Sequence, residues 1–444
     1  MKVLVVGNGA REHAIAAALA ASPNEPEMYA FMSAVNPGIS RIVREFGIGD
    51  ICNPSDVILY AEKCGIELAV IGPEAPLAAG VVDVLDLAGI ICVGPKKVTA
   101  QLETDKGFCR DLMRKHDIPG TPAFGIFDNG KDADSFIDGF DGDLAVKPAG
   151  LTGGKGVKIM GEHFDAQGAK EYIREIFDTR MGGVPKVVLE ERLLGEEFTL
   201  QAFVDGEKVV GMPAVQDHKR AFEGDMGPNT GGMGSYSDNG YLLPFITKKD
   251  YDSALRIMES TIEAVREETG EHYRGFLYGQ FMATADGVKV IEYNARLGDP
   301  EAMNVLAVLE SDMQDICEKM GGGMLGNDVK FKHKATVCKY LVPTGYPERP
   351  KGDVEVTVDV GKVREIGGLV YYASVREENG KILTSRSRAV AVVGVHDVIT
   401  EAEQVVEGCM PFIKGDLTYR KDIGTHELIQ KRIRHMKEIR KRRK

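Results

Sequence analysis

Four short apolar runs in the first hundred residues are separated by stretches of helical spacing, and this alternation limits what the N-terminal part can fold into. Lys2–Val6, Met28–Met32, Leu68–Gly72 and Ile90–Val93 read as buried strands, with His13–Ala21, Pro54–Lys63 and Leu77–Ala88 as helices between them. Strands joined through helices pair in parallel, so residues 1–103 are expected to form a parallel α/β domain. Ligands of such sheets bind at the carboxyl ends of the strands, where Gly7-Asn8-Gly9 and Gly72-Pro73-Glu74-Ala75-Pro76 fall.

The chain has 444 residues, too many for one ordinary core. Thr99–His116 reads as a linking helix, and Phe140–Glu191 carries strand signals around a glycine loop. Phe198–Pro213, Phe276–Ala283 and Val288–Asn294 read as long strands. From about 331 the pattern changes: Val354–Val358, Val370–Val375 and Ala389–Val393 are β-rich and Val398–Phe412 is helical, which suggests a separate small α+β domain to about 430.

No apolar run approaches the ~20 residues that span a bilayer. Seven scattered cysteines form no C-x-x-C pair, as expected of buried thiols in a reducing, cytoplasmic setting. The net charge is −12, but residues 431–444 hold nine Lys/Arg against one Glu, a net +8, so the remaining 430 residues carry −20. An acidic body argues against a specific nucleic-acid partner. The basic tail is expected to be a solvated, fraying terminal helix.

The turn Gly7-Asn8-Gly9-Ala10-Arg11-Glu12-His13 lacks the dinucleotide fingerprint, because Glu12 stands where the third glycine belongs and no acidic residue closes the second strand. A glycine turn feeding a helix still offers free N–H groups to an anion, with Arg11 adding charge. The stretch Lys147-Pro148-Ala149-Gly150-Leu151-Thr152-Gly153-Gly154-Lys155-Gly156 is no Walker loop, since Ala149 and Gly156 occupy its Gly and Ser/Thr positions. It joins two strand-like segments. A glycine hairpin of this kind lets backbone N–H groups and lysines approach phosphates, and residues 150–156 are expected to be among the most mobile without nucleotide. Glu190–Glu197 follows a strand and can present backbone groups to an adenine edge. The run Gln216–Arg220 and the loop Gly227-Pro228-Asn229-Thr230-Gly231-Gly232-Met233-Gly234 read as ligand-building, the second too glycine-rich for regular structure.

Asp286-Gly287 between two alternating runs indicates a β-hairpin. Glu292 and Asn294 share a face of its second strand, and Gln280 joins them only in one register. A three-residue loop pairing Thr284 with Val288 sets Gln280 opposite Glu292, whereas a two-residue turn pairing Ala285 with Val288 turns Gln280 toward Tyr293. We expect the first. Three oxygen-bearing side chains on one face suit Mg²⁺, a hard cation.

Seven stretches together resemble the glycinamide ribonucleotide synthetase family of the ATP-grasp superfamily: GNGAREHA (7–14), GPEAPLAAGVVD (72–83), GLTGGKGV (150–157), QDHKRAFEGDMGPNTGGMGSYS (216–237), GFLYGQF (275–281), IEYNARLGDPE (291–301) and RKDIG (420–424). They occur in the family's order along nearly the whole chain. The resemblance implies a multidomain fold of α/β and α+β class: an N-terminal parallel α/β domain (1–103), a central ATP-grasp domain of two lobes clamping ATP (104–330, with a mobile lid lobe at about 122–192), a C-terminal small α+β domain (331–430) and the basic tail (431–444). It assigns phosphates to Lys106, Lys147 and Gly153, Gly154, Lys155 and Gly156. Adenine goes to Glu190, Glu191 and Leu193, ribose to Glu197, and Mg²⁺ or Mn²⁺ to Gln280, Glu292 and Asn294. Arg296 contacts the reacting groups, and Asp217 with Asp299, Pro300 and Glu301 lies near glycine. Gly9, Arg11, Glu12, His13, Pro73 and Glu74, with Asn229, Thr230, Gly231, Gly232 and Met233, lie near 5-phosphoribosylamine.

Such an enzyme is implied to join glycine to 5-phosphoribosylamine through glycyl phosphate, in the cytoplasm, as a monomer or weak homodimer. Ala10 stands where the family usually has Gly, and Pro148 and Thr152 alter the approach of the lid. The rival readings are a sister ligase using formate or bicarbonate, which the 216–237 run disfavours, a nicotinamide oxidoreductase, and a polyanion binder acting through the tail.

Overall fold

The computed structural model describes residues 1–152 and 156–441. The first part is a five-stranded, all-parallel sheet in the order Glu45–Ile48, Glu27–Met32, Lys2–Val6, Leu68–Ile71, Ile91–Val93. The winding reverses between Lys2–Val6 and Leu68–Ile71, so the Gly7–Gly9 and 72–76 loops both leave the sheet at its switch point, where α/β sheets bind ligands. Glu45–Ile48 was not expected: it is a largely exposed edge strand and has no apolar run to announce it.

Two expected helices are each broken in two. Leu77–Ala88 is replaced by Glu74–Ala79 and Val81–Leu87, with Gly80 at φ +85° ending the first. Thr99–His116 is replaced by Gln101–Thr104 and Lys106–Lys115. The break is at Asp105, whose extended backbone lets its carboxylate accept from the N–H groups of Gly107 and Phe108. That cap puts Lys106 on the first turn of a helix. Phe198–Pro213 is likewise a hairpin, Glu196–Asp205 followed by Val209–Gly211.

The centre of the molecule is an antiparallel sheet whose main path runs Val288–Asn294, Arg274–Ala283, Glu196–Asp205, Val215–Asp217, Gly234–Ser237, Ala335–Pro343, Val390–His396, Leu369–Tyr372. The C-terminal α+β part is thus grafted onto the central sheet, because Ala335–Pro343 pairs with Gly234–Ser237. One apolar cluster runs through the N-terminal, central and C-terminal parts.

A second sheet stands apart. Phe124–Phe127, Val187–Glu191, Leu144–Pro148 and Lys158–Ile159 pair antiparallel. Helices Gly130–Gly139 and Ala166–Thr179 cover it around a core of their own, built on Ile137, Val146, Ile173, Ile176 and Leu189.

Through Lys441 the basic tail is a helix, as expected, but not a fraying, fully solvated one; residues 442–444 lie outside the described residues. His426–Lys441 is helical and buries Leu428, Ile429, Met436 and Ile439. The helical spacing of these apolar residues outweighs the charge run that dominates the composition.

The N-terminal sheet docks on the central one backbone to backbone: Gly94 N donates to Arg274 O at 3.1 Å, and Gly275 sits at φ +139°. A Cβ on Gly275 would stand 2.8 Å from Gly94 N. Gly275→Ala therefore combines an unfavourable φ with overpacking, and is expected to cost about 3 kcal/mol, read as a lowered urea midpoint at unchanged m.

Candidate active site

A cleft of about 520 Å³ is lined by all the parts of the fold. Arg11 and Glu74 come from the first turns of the helices that leave the two switch-point loops, and Glu103, Lys106 and Arg110 from the helices that follow the parallel sheet. The lid lobe supplies Glu190, the central sheet Asp217, Lys219, Tyr278, Glu292 and Asn294, the following turn Arg296, Asp299 and Glu301, and the C-terminal part Tyr346 and Arg388.

Lysine charge is concentrated where the lid strand meets the central hairpin. Lys147 Nζ lies 2.7 Å from Glu190 and donates to Ile291 O at 3.0 Å. Arg110 grips both oxygens of Glu190, at 2.8 and 2.9 Å. Burial pushes the Glu190 carboxyl up, but Arg110 and Lys147 outweigh it and hold it at about 2. Its side chain is therefore committed to these two cations, and only its backbone remains for a base. Lys106 donates to Gly150 O at 3.1 Å, and burial lowers its pKa. Gly156 is fixed by Tyr172, whose hydroxyl donates to its carbonyl at 2.8 Å. Gly153, Gly154 and Lys155, and with them the expected mobility of the loop, lie outside the described residues.

The central hairpin reaches its expected pairing by a different route. Gln280 does lie opposite Glu292, yet Ala283, not Thr284, pairs with Val288. The turn is tighter and begins earlier: Thr284 N donates to Gly287 O at 2.9 Å, and the Thr284 hydroxyl also donates to it at 2.8 Å. A β-bulge between Gln280 and Phe281 on one side and Val290 and Glu292 on the other then restores the register. Sequence pattern fixed the wrong loop because the extra residue is Ile291, inside the strand, rather than Gly287 in the turn.

Lys219 projects between the expected metal ligands, with Nζ 2.6 Å from Gln280 Oε1 and 3.7 Å from Glu292 Oε1. Gln280 Nε2 donates to Glu197 at 2.6 Å. Burial raises the Glu292 pKa, but Lys219, Lys106, Lys147 and Arg296 together bring it below the ordinary value, so this carboxylate is ionised among four cations. Asn294 Oδ1 accepts from Arg296 at 3.3 Å. Gln280, Glu292 and Asn294 offer oxygen donors only, a set that fits a hard divalent ion. Among the described residues there is no cluster of three or more His, Cys, Asp or Glu with metal spacing.

Arg296 is shared by Glu74 at 3.2 Å and Glu103 at 2.9 Å. Burial raises the Glu74 carboxyl, and Arg296 and Arg11 overcome this and bring it to about 2. For Glu103 burial prevails, with Glu74 adding to it, and the carboxyl rises to about 7 despite Arg296. One guanidinium thus serves two acids unequally.

The N-terminal turn departs from expectation. Glu12 is buried, accepts from Gly9 N at 2.6 Å and pairs with Arg11 at 2.6 Å. The turn's Gly9 N–H is occupied by this carboxylate instead of being free for an anion. His13 is buried against the C-terminal part, its Nδ1 accepting from Tyr372 N at 3.0 Å, and burial and Arg41 lower its pKa to about 4. Pro73 backs the same turn, against Gly7.

The glycine-rich run is more regular than expected. Arg220–Phe222 and Met226–Asn229 form a small hairpin, and Gly234–Ser237 belongs to the central sheet. Thr230 and Gly231 face the cleft, whereas Met233 is core, its backbone bonded to His218 and Tyr340. Arg388 closes this side: it donates to the carbonyls of Gly231, Gly232 and Asp299 at 2.8, 3.0 and 2.7 Å, and it stacks over Tyr340. Asp217 is half-buried near Glu301, and desolvation and that neighbour push its pKa well up against Lys219 and Arg388.

Arg11, Glu74, Lys106, Glu190, Asp217, Thr230, Gly231, Glu292, Asn294, Arg296, Asp299 and Glu301 are brought to one cleft. Glu191 pairs with Lys289 at the lobe edge, Leu193 sits on the connector after it, and Glu197 lies on the central strand Glu196–Asp205, paired with Met282. Pro300 caps the helix Glu301–Ala307. The sequence reading missed Glu103, Arg110, Tyr346 and Arg388. Each reaches the cleft through tertiary contact, and only Lys219 had a local signal, inside the 216–220 run.

Fold and cleft together are those of an ATP-grasp enzyme, with a separately cored lobe over a cation-rich cleft. The chain matches the family described as phosphoribosylglycinamide synthetase in three consecutive pieces: N domain over 1–103, ATP-grasp (A) domain over 104–302 and C domain over 336–426. It is 53% identical over 440 residues to phosphoribosylamine–glycine ligase of Methanobrevibacter smithii, covering 99% of this chain and 100% of that one. To the Methanopyrus kandleri protein of the same name it is 51% identical over 446 residues, covering 99% of each. The crystal structure of phosphoribosylamine–glycine ligase from Thermotoga maritima superposes with a TM-score of 0.80 at 27% identity, over 95% of this chain and 100% of that one. The chain belongs to the phosphoribosylglycinamide synthetase family.

The Glu190 cluster yields a stability test with a defined sign. Its folded pKa is depressed, so its contribution is full above about 4.5 and is lost as pH falls toward 2. Glu190→Gln is expected to lose about 3 kcal/mol at pH 7, by leaving Arg110 and Lys147 short of a counter-charge. In urea melts across pH, the gap to the parent should narrow only below pH 4.5.

Proposed function

We propose that this chain joins glycine to 5-phosphoribosylamine at the expense of ATP, giving glycinamide ribonucleotide, ADP and phosphate. The observation that carries the reading is the convergence of Lys219, Lys106, Lys147 and Arg296 on the ionised Glu292. Such a field suits a polyphosphate and would be wasted on a neutral ligand. The names of the relatives support glycine and phosphoribosylamine as the substrates.

A carboxylate is a poor electrophile for an amine. Transfer of the terminal phosphoryl group of ATP to a glycine carboxylate oxygen releases ADP and gives glycyl phosphate. The amine of phosphoribosylamine attacks the acyl carbon, the C–O bond to phosphate breaks, and the amine loses a proton. Lys106, Lys147 and Arg296 supply charge as it moves onto the transferring group. Asp217 and the buried Glu301 are carboxylates close enough to raise the Asp217 pKa. The ammonium of glycine, set between them, supplies the positive charge that lets Asp217 ionise beside Glu301. The backbone around Glu190–Leu193 is read as the adenine edge, and Glu197 as the ribose acceptor. The Arg11, Glu74, Thr230 and Gly231 end of the cleft is read as the phosphoribosylamine side.

Gln280, Glu292 and Asn294 would hold Mg²⁺ or Mn²⁺, which when bound supplies charge to the phosphates. Closing the lid lobe keeps water from the acyl phosphate. Among the described residues no helix is long and apolar enough to cross a membrane. We read the protein as a cytoplasmic monomer or weak homodimer.

The test is ADP release from the full chain with magnesium and ATP, which is expected only when glycine and phosphoribosylamine are both present. Release with formate or bicarbonate in place of glycine would overturn the reading in favour of a sister ligase. Glu292→Gln is expected to lower amide formation at least about a hundredfold while calorimetry still registers nucleotide binding, because the carboxylate acts on phosphates rather than on adenine. Near-parental turnover in that variant would remove Glu292 from the site.

A further inference from the structure

The strand that carries Asp217 has two faces, and only one belongs to the cleft. Asp217 and Lys219 line the cleft. The residues between and before them, His218 and Gln216, lie on the other side, as strand alternation requires. There Gln216 Nε2 donates to Glu197 O at 3.0 Å, its Oε1 accepts from Tyr236, and His218 packs on the Tyr236 ring at 5.7 Å. This buried polar layer receives the C-terminal helix.

Arg432 enters the layer with its side chain 17% exposed. It donates to Asp225 at 2.5 Å and lies 3.5 Å from Glu196, while His435 of the next helical turn meets the other oxygen of Glu196 at 2.6 Å. Glu196 begins the strand that pairs with Val215, and Asp225 forms the tip of the hairpin that follows Lys219. One guanidinium thus ties together the two segments that flank Asp217–Lys219. The inner part of the layer is dry: both ring nitrogens of His218 and Nε of Arg432 are buried with no partner among the described residues. The apolar anchors of the helix, Met436 and Ile439, seat it independently of Arg432.

We propose that Arg432 is a positioning residue, by which the basic C-terminal helix holds the strand bearing Asp217 and Lys219 in place behind the cleft. The proposal rests on the reading of Asp217 as a glycine contact. The charge run is then, over 431–441, a folded part of the catalytic scaffold rather than a polyanion-binding tail.

The same helix supplies the control. Arg440 pairs with Asp250 at 2.6 Å, at the start of a helix that carries no cleft residue. If Arg432 only seats the helix, Arg432→Met and Arg440→Met behave alike. If it positions the strand, Arg432→Met raises the glycine KM about tenfold, with the ATP KM little changed, while Arg440→Met leaves both near parental. Arg432→Lys, which keeps a charge without the fork, should recover part of the loss. Thermal melts of both variants accompany the kinetics. Parental kinetics for Arg432→Met, or equal losses in the two variants, would overturn the proposal. Asp217→Asn separates it from the reading beneath: an unchanged glycine KM there overturns the substrate assignment. The positioning role stands or falls on whether Arg432→Met alters the same constant as Asp217→Asn, in the same sense.

Discussion

Strand Arg274–Ala283 sets the geometry on which every part of the cleft depends. It pairs without interruption along ten residues with Glu196–Asp205 and is the partner of Val288–Asn294 on its other edge. At one end its backbone accepts the N-terminal sheet through Gly94. Further along, Tyr278 donates to Glu301 at 2.9 Å and Gln280 reaches Lys219 and Glu197. A shift of one residue in this strand would turn Gln280 into the core and Gly279 into the cleft. The bulge opposite Gln280 therefore sets the geometry of the cleft, since it brings Gln280 and Glu292 together while the turn is set by Thr284.

Charge is the second organising quantity. Lys106, Lys147, Lys219, Arg110 and Arg296 are gathered with Glu74, Glu103, Glu190 and Glu292, and the carboxylates do not respond alike. Glu190 is saturated by two cations and is a structural counter-ion. Among the described residues Glu292 has several cations nearby, Lys219 at 3.7 Å, but no close bidentate partner. Glu103 sits at the tail of Arg296 and keeps its proton more easily than Glu74 does. A site that must take in a highly charged nucleotide and release it gains from cations already neutralised in part, because uncompensated buried charge would be costly.

Much of this was legible in the sequence, and the failures have identifiable causes. Lys2–Val6 and Val288–Asn294 span the residues expected of them, because apolar alternation bounded by glycine is a local signal. The breaks at Gly80 and Asp105 were overlooked because helical spacing continues across them. Glu12 was read as a ligand contact because sequence shows its position on the turn but not that its carboxylate folds back onto Gly9. Arg388 stands 89 residues from Asp299, and nothing in its neighbourhood announces that it will hold the glycine-rich run from the far side. The tail was misjudged because nine positive charges mask Leu428, Ile429, Met436 and Ile439 at helical spacing.

The separate core of the lid lobe has a consequence for how the molecule opens. Ile137, Val146, Ile173, Ile176 and Leu189 pack with one another and not with the main cluster. Rotating the lobe away from the cleft exposes polar wall and a few ion pairs such as Lys289–Glu191 and Arg220–Glu162, but little apolar surface. The hydrophobic penalty of opening is correspondingly small. Under the proposed function, opening need not unfold the lobe, because its core is its own and its melting is separable from that of the body.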